Sequence, residues 1–390
     1  MIHHLYSALG ETRLQKLLTA GLLAFIASFM LLPTSKMVNN VFYALMALPA
    51  LFALIGGHCR KLEISRVFWL WGLLMLWLIY VGIESGDAQF FKHILYVCLF
   101  MLAVGQLIAP KIFLDSDFTR SLFWSVLIYM GGSSIYYWII GEYAFGEKVL
   151  WLPGRMTGPI YSSIWLSCCF ALNLPSWIRQ GAWKELIAGL LFTLFIAAFA
   201  LQSRSGLVGL FVLSFMAIIY LASTHPQTRR FLSVGGLLMA GCALWAYSEI
   251  PQIHALVARG DSARFEIWAA LMNEWRDCGL MQGCGMEHKS DVILTGGGGI
   301  LHPHSIYLSL GVFAGLPALL TFCLLMSLTM YIAWKNRNPW GLYLLSGMIG
   351  LAFDGSFLVG NPDELWLLIL LPAALIIHPG SRTPQTHTNT

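Results

Sequence analysis

Residues 304–333, HSIYLSLGVFAGLPALLTFCLLMSLTMYIA, contain no Asp, Glu, Lys or Arg. An α-helix crosses the hydrocarbon core of a bilayer with about 20 consecutive apolar residues, so this run is long enough to span it. The pattern recurs along the chain. Apolar runs near 17–34, 40–57, 67–83, 90–109, 119–140, 159–175, 186–202, 205–223, 231–249, 304–333, 341–358 and 363–379 read as spans. They predict an all-α integral membrane protein with about twelve transmembrane helices.

Composition agrees. Of 390 residues, 58% are hydrophobic and 11% charged, against about 25% charged in soluble domains. Residues 1–379 read as a single polytopic membrane domain with no soluble domain attached. Residues 380–390 form a polar tail, expected to be disordered. The start, MIHHLYSALGETRLQK, is polar, and no cleavable signal peptide is expected. The net charge of +4 forms no basic stripe, so nucleic acid is excluded as a partner. Neither a Walker-type loop nor a dinucleotide fingerprint is present, so no cofactor is expected. Most of the eight cysteines lie in apolar runs and read as small hydrophobes. Cys278 and Cys284 lie in a polar loop and could pair if that loop is oxidised.

Orientation follows from the basic residues of the short loops. One set of loops carries Arg13, Lys16, Arg60, Lys61, Arg66, Lys111, Arg120, Arg179, Lys184, Arg229, Arg230, Lys335, Arg337 and Arg382, opposed only by Glu11, Glu63, Asp115, Asp117 and Glu185. That side is assigned to the cytoplasm, and an even number of spans puts both termini there. The opposite side carries two longer connections, 141–158 and 250–303. Within the second, DSARFEIWAALMNEWRD (261–277) reads as a helix. Asp261 or Ser262 can cap it, and Phe265, Trp268, Leu271, Met272 and Trp275 form its apolar stripe. The glycines at 296–299 predict a hinge before the chain re-enters the membrane.

The unusual polar residues gather on this second side. Arg204 lies in Gln202-Ser203-Arg204-Ser205-Gly206 between two apolar runs, where a guanidinium must snorkel, pair or face a wet cavity. An anion such as a diphosphate suits it, because guanidinium binds phosphate oxygens two at a time. Arg264 falls in the first turn of the loop helix, against the helix dipole, and a bound anion would resolve that conflict. Both arginines also read as plain loop residues, Arg204 in a topology turn and Arg264 paired with Glu266 or Asp261. His304, in His302-Pro303-His304-Ser305, is a candidate general base at the re-entry point, or an interfacial histidine bonded only locally. Pro303 suits the first turn of the next span. His302 and His304 offer two imidazoles but no evident third ligand, so no metal is expected. Arg155 precedes the sixth span in a Gly- and Pro-rich stretch, as an anion ligand or a headgroup-level loop residue. Ser305 and Asp354 complete the candidates, Asp354 as a carboxylate late in the eleventh span, intramembrane or interfacial. The Glu287-His288 pair reads as solvated. The many aromatic residues near span ends read as the interfacial belt.

These positions together resemble the O-antigen ligase and polymerase superfamily. Its members carry an arginine in a Ser-Arg-Ser/Gly-like turn, matched by Ser203-Arg204-Ser205-Gly206. A second arginine opens a loop helix followed by Gly-x-Gly, matched by Arg264 and Gly283-Cys284-Gly285. A histidine then starts a span, with glycines following, matched by His304-Ser305, Gly311 and Gly315. Arg155 and Gly158 resemble the family's Arg-x-x-Gly element, although Tyr161-Ser162-Ser163 stands where Asn-Pro-Asn often follows. The resemblance covers roughly residues 150–375. It implies a GT-C-like glycosyltransferase in the bacterial inner membrane, with its site on the periplasmic side and the 250–303 segment as its large periplasmic loop. It implies a glycan donor on undecaprenyl diphosphate, a lipid A–core hydroxyl as acceptor, inversion at the anomeric carbon, and no metal. His304 would be the base, and Arg204 and Arg264 would hold the diphosphate. Two other acceptors stay open within the superfamily: a growing O-antigen chain, as in a polymerase, or a protein such as pilin. A transporter of lipid-linked sugars is the competing class, and it would place charges deep in several spans.

Overall fold

The computed structural model of the protein describes residues 13–56, 65–86, 88–156, 158–224, 241, 244–258, 263–294, 299–300 and 302–381. Among the described residues the fold is all-helical, with one isolated bridge between Ile293 and Gly299. The main helices are α1 (Arg13–Leu31), α2 (Ser35–Ile55), α3 (Arg66–Ser85), α4 (Gln89–Leu107), α5 (Ser116–Ile139), α6 (Pro159–Gln180), α7 (Trp183–Ala200), α8 (Arg204–Thr224), α9 (Pro251–Ala258), α10 (Arg264–Cys278), α11 (Ile306–Lys335), α12 (Trp340–Leu351) and α13 (Trp366–Ile377). Six of these, α1 to α4, α7 and α11, are long and apolar enough to cross a membrane. The fold is therefore that of a helical, multi-pass membrane protein. The span expected at 231–249 falls largely outside the described residues, as do Arg60, Lys61, Arg229, Arg230, the glycines 296–298 and the tail from 382.

Two expected boundaries are corrected. The sixth span does not end at residue 175. Helix α6 runs through Pro175 to Gln180 and is capped by Gly181 in the left-handed region. Asn173 gives this stretch internal partners: its Nδ2 donates to the carbonyls of Cys169 and Thr119. The eleventh span, expected to reach 358, ends at Leu351. Asp354 turns its carboxylate back onto the Gly355 amide, and Gly355 takes φ 105°, which ends any helical continuation. Asp354 consequently lies in the connection 352–365, not late in a span.

Helix α6 is the centre of the bundle. Its residues from Ser162 to Leu174 are all buried, with α5, α7, α8 and α12 around it. Helices buried in lipid associate through small residues and polar side chains rather than through water exclusion. Both devices appear here. A Cβ on Gly206 of α8 would lie 2.5 Å from Ser163 Oγ and 2.7 Å from the Ser163 carbonyl carbon. Ser163 Oγ hydrogen-bonds Ser203 Oγ at 2.6 Å, and Ser167 Oγ donates to the Gly206 carbonyl at 2.9 Å.

Helix α11 breaks at Gly315 (φ 78°, ψ 177°), two residues before Pro317. The freed backbone groups find protein partners. Leu316 N donates to the Leu280 carbonyl, Cys284 N donates to the Val312 carbonyl, and Trp77 Nε1 donates to the Ala314 carbonyl. The segment after α10 therefore sits in the break, and a disulfide between Cys278 and Cys284 closes it into a small ring. The glycines explain the fit. Gly283 lies against Gly315 and the Val312 carbonyl, and Gly311 makes room for the Trp275 ring. The stripe of α10 differs from expectation: Ile267, Leu271 and Trp275 are buried, whereas Phe265 is exposed. Residues 267, 271 and 275 lie on one face at i, i+4, i+8 spacing, whereas Phe265 lies off it.

Gly206→Ala is expected to lower thermal stability in detergent, by about 1–3 kcal/mol for an overpacked contact. The control is Gly132→Ala in α5, where a Cβ meets nothing within 4 Å. A melt in which both variants match the wild type would contradict the close α6–α8 approach.

Candidate functional site

Four non-glycine residues among the described ones have positive φ: Gln202 (45°), Ala263 (59°), His304 (50°) and Arg337. Such backbone is uncommon outside glycine and gathers at functional sites. Three of the four are His304 itself and the residues two before Arg204 and one before Arg264. Each candidate therefore enters through a sharp, strained turn.

Arg204 is the first residue of α8. The chain reaches it through a π-helical turn at Phe195–Ala200, after which Ser203 N donates to the Ala197 carbonyl. Arg264 is likewise the first residue of α10, behind Ala263, which offers no side-chain cap. Asp261 and Ser262, the expected caps, lie outside the described residues. Two guanidinium groups therefore stand at helix N-termini, whose free N–H groups carry partial positive charge.

His304 is held in place from several sides. Trp268, one turn after Arg264 on α10, donates its indole N–H to the Pro303 carbonyl at 2.9 Å. Residues four apart share a helix face, so Arg264 lies on the face of α10 that carries Trp268. Trp268 also lies against Phe353, with ring centroids 6.2 Å apart. The next residue, Asp354, is buried and brings Oδ1 to 3.5 Å from His304 Nδ1. His302 lies beside His304, with centroids 3.9 Å apart and the rings tilted by 46°. Burial, and the His304 ring next to it, hold His302 below the usual histidine pKa, with Asp354 pulling the other way. The absence of a third ligand, expected from the sequence, is corrected: Asp354 joins both histidines, all donor atoms lying within 4.8 Å of one another. Pro303 is not in the first turn of α11. Ser305 caps that helix, accepting from Leu308 N at 3.5 Å, and the helix begins at Ile306.

Arg155 belongs to a neighbouring part of the same end of the bundle. Its backbone N–H, and that of Met156, donate to the Phe29 carbonyl near the end of α1. Its guanidinium pairs with Glu364 at 2.6 Å, so its charge is met by protein. Glu364 and its neighbour Asp363, in Asn361-Pro362-Asp363-Glu364, are site residues that the sequence reading misses. The signal for them is a pair of carboxylates directly before an apolar run, where ionised groups are costly without partners. Burial raises the pKa of Asp363, with Glu364 adding to it and Arg155 opposing. Burial also raises Glu364 against the pull of Arg155. Tyr161 links the clusters: it lies near Ser356, Asp354, Asp363 and Glu364. Two residues on, Ser163 reaches Ser203 next to Arg204. Tyr161 and Ser163, which depart from the family pattern, are therefore both in contact with the site. Of the remaining candidates, His288 is not simply solvated. Its Nε2 meets Glu274 at 2.8 Å, which ties the loop back onto α10.

The fold and the site define a multi-pass helical membrane protein. At one end of its bundle it carries two arginines on helix N-termini and a histidine braced by a buried carboxylate. Comparison with known proteins agrees with the resemblance read from the residues. The sequence model of a family described as O-antigen ligase matches residues 189–323, a stretch containing Arg204, Arg264, His302, His304 and Ser305. The chain is 27% identical over 384 residues to an O-antigen ligase of Pseudomonas aeruginosa PAO1, covering 92% of this chain and 90% of that one. The chain is thus similar to O-antigen ligases, to one of them over most of its length.

Removing one partner of a buried ion pair strands the other charge. Glu364→Ala is expected to destabilise the protein by up to about 3 kcal/mol, and the double change Arg155→Met with Glu364→Leu by less. Thermal melts of the two variants check this. A double variant worse than the single would contradict a mainly structural role for the pair.

Proposed function

We propose that this protein is a glycosyltransferase that moves O-antigen polysaccharide from undecaprenyl diphosphate to a sugar hydroxyl of lipid A–core. The observation that carries the reading is the placement of His304 between the buried Asp354 and the helix that starts at Arg264. Similarity to O-antigen ligases supports a role in attaching O-antigen to lipopolysaccharide; the donor, the acceptor and the steps below are our reading.

His304 takes the proton of the acceptor hydroxyl. Asp354, facing Nδ1, orients the ring and offsets the charge that develops on it, leaving Nε2 for the hydroxyl. The acceptor oxygen attacks the anomeric carbon from the face opposite the diphosphate. One C–O bond forms as the bond to the diphosphate breaks, and the configuration inverts. Arg204 and Arg264, each with the N–H groups of its helix start, hold the diphosphate and stabilise the charge growing on it. The donor is already activated by its diphosphate leaving group, so the reaction draws on neither a nucleotide nor a metal. Membrane lipids surround the bundle, and both substrates reach the site from them.

The orientation belongs to the same proposal: about twelve spans in a GT-C-like arrangement, both termini in the cytoplasm, and the site on the periplasmic side of the inner membrane. The Cys278–Cys284 disulfide supports it, because structural disulfides persist on the oxidising side of a membrane. Residues 1–379 act as one membrane domain, with 250–303 as its periplasmic loop.

His304→Ala is expected to reduce transfer by about 10²–10⁴-fold, the usual contribution of a general base, with membrane insertion intact. An assay with purified protein, lipid-linked glycan and lipid A–core reads this, and undiminished transfer would overturn the assignment. Substituting a growing O-antigen chain or pilin for lipid A–core identifies the acceptor. Arg204→Ala and Arg264→Ala are expected to raise the apparent KM for the donor more than that for the acceptor. Unchanged donor affinity in both variants would contradict a diphosphate site there.

A further inference from the structure

The turn His302-Pro303-His304 and the buried Asp354 make an arrangement that the transfer reaction does not use in full. His304 Nδ1 is buried and has no hydrogen-bond partner. Its distance to Asp354 Oδ1, 3.5 Å, exceeds a hydrogen bond between nitrogen and oxygen. It does match another geometry. Zinc holds imidazole nitrogen and carboxylate oxygen at about 2.0–2.2 Å in a tetrahedron, so neighbouring donor atoms stand about 3.3–3.6 Å apart. The third donor, from His302, lies within 4.8 Å of both others. Two imidazoles and one carboxylate are a donor set for a borderline divalent ion, with a fourth position left for water. The surrounding groups are already fixed. Trp268 anchors the Pro303 carbonyl between the two histidines, and the Gly355 amide donates to Asp354 Oδ1. Hydrogen bonds of this kind orient the ligands of metal sites. A second trio, Cys278, Cys284 and His288, also lies close together, but its two sulfurs are joined in the disulfide.

We propose that His302, His304 and Asp354 bind one divalent cation of the zinc class, and that this ion stops glycan transfer. A cation on His304 Nδ1 withdraws electron density from the ring, so Nε2 becomes a poor proton acceptor. It also takes Asp354 away from orienting that ring. The ion and the proton of the acceptor hydroxyl compete for the same imidazole. The inhibitory half rests on the reading of His304 as the base; the binding half rests on geometry alone.

The test uses the full-length, tag-free protein in detergent, stripped with EDTA and titrated with zinc chloride by calorimetry. Cobalt(II) absorption reports the coordination geometry. The wild type is expected to bind one ion tightly and to give a tetrahedral cobalt spectrum. His302→Ala and Asp354→Asn are each expected to weaken binding by about 10–100-fold or more, the loss seen even when only a ligand's hydrogen-bond partner is changed. His288→Ala is the control and is expected to bind as the wild type does. Wild-type affinity in both His302→Ala and Asp354→Asn, or no binding by the wild type, would overturn the site and leave the reading of His304 untouched. In the transfer assay, EDTA is expected to leave the rate unchanged, and zinc at its binding concentration to lower it about tenfold or more, in line with near-complete occupancy. Tight binding at these residues with undiminished transfer would overturn the inhibition and, with it, His304 as the base. Loss of transfer in EDTA, restored by zinc, would overturn it in the opposite sense.

Discussion

A backbone N–H or C=O that faces lipid without a partner is prohibitively costly, so a membrane protein can leave its helices only where protein fills the gap. The breaks in this fold follow that rule, and the candidate site is assembled from them. At Gly315 the freed groups of α11 are met by Leu280, Cys284 and Trp77. Between α7 and α8 a π-helical turn lets Ser203 bond back to Ala197, and Ser163 takes the Ser203 hydroxyl. After α12 the Asp354 carboxylate satisfies the Gly355 amide. A break stabilised this way presents side chains and helix ends that an unbroken helix would hide. Arg204 and Asp354 stand at such points, and His304 stands in the turn that Asp354 faces.

The same constraint explains why α10 lies where it does. Its Ile267, Leu271 and Trp275 face the bundle, its C-terminal loop fills the Gly315 break, and its Trp268 holds the His302–His304 turn. One amphipathic helix thus joins the kink in α11 to the candidate base. The Cys278–Cys284 bond fixes the loop between them. Arg264, at the other end of α10, takes its position from the same contacts.

The existence of spans is legible in the sequence because an uninterrupted apolar run as long as 304–333 suits little besides a helix in lipid. Span ends are less legible. In 341–358 apolar residues resume at Phe357 after Asp354, so the run reads on past Leu351, the last helical residue; the break is set by Asp354 and Gly355 acting together. Among site residues, Arg204, Arg264 and His304 stand out because each is polar next to a long apolar run. Glu364 does not, since a carboxylate at a span edge is ordinary until Arg155, more than 200 positions earlier, is found 2.6 Å away. Asp354 is conspicuous as a carboxylate following an apolar run, but its meeting with His304 is a tertiary fact that no local pattern encodes.

What the fold offers chemically is a division of labour across one end of the bundle. On our proposal, two helix starts bearing arginine hold the diphosphate, and the imidazole beside Asp354 takes the proton. The most direct measurement is a cryo-electron microscopy structure of the protein with undecaprenyl diphosphate. Phosphate density is expected within hydrogen-bond reach of both Arg204 and Arg264, with His304 facing the leaving-group oxygen across the space for the sugar. Phosphate density bound at Arg155 or elsewhere, with Arg204 and Arg264 both out of contact, would contradict this assignment of the site.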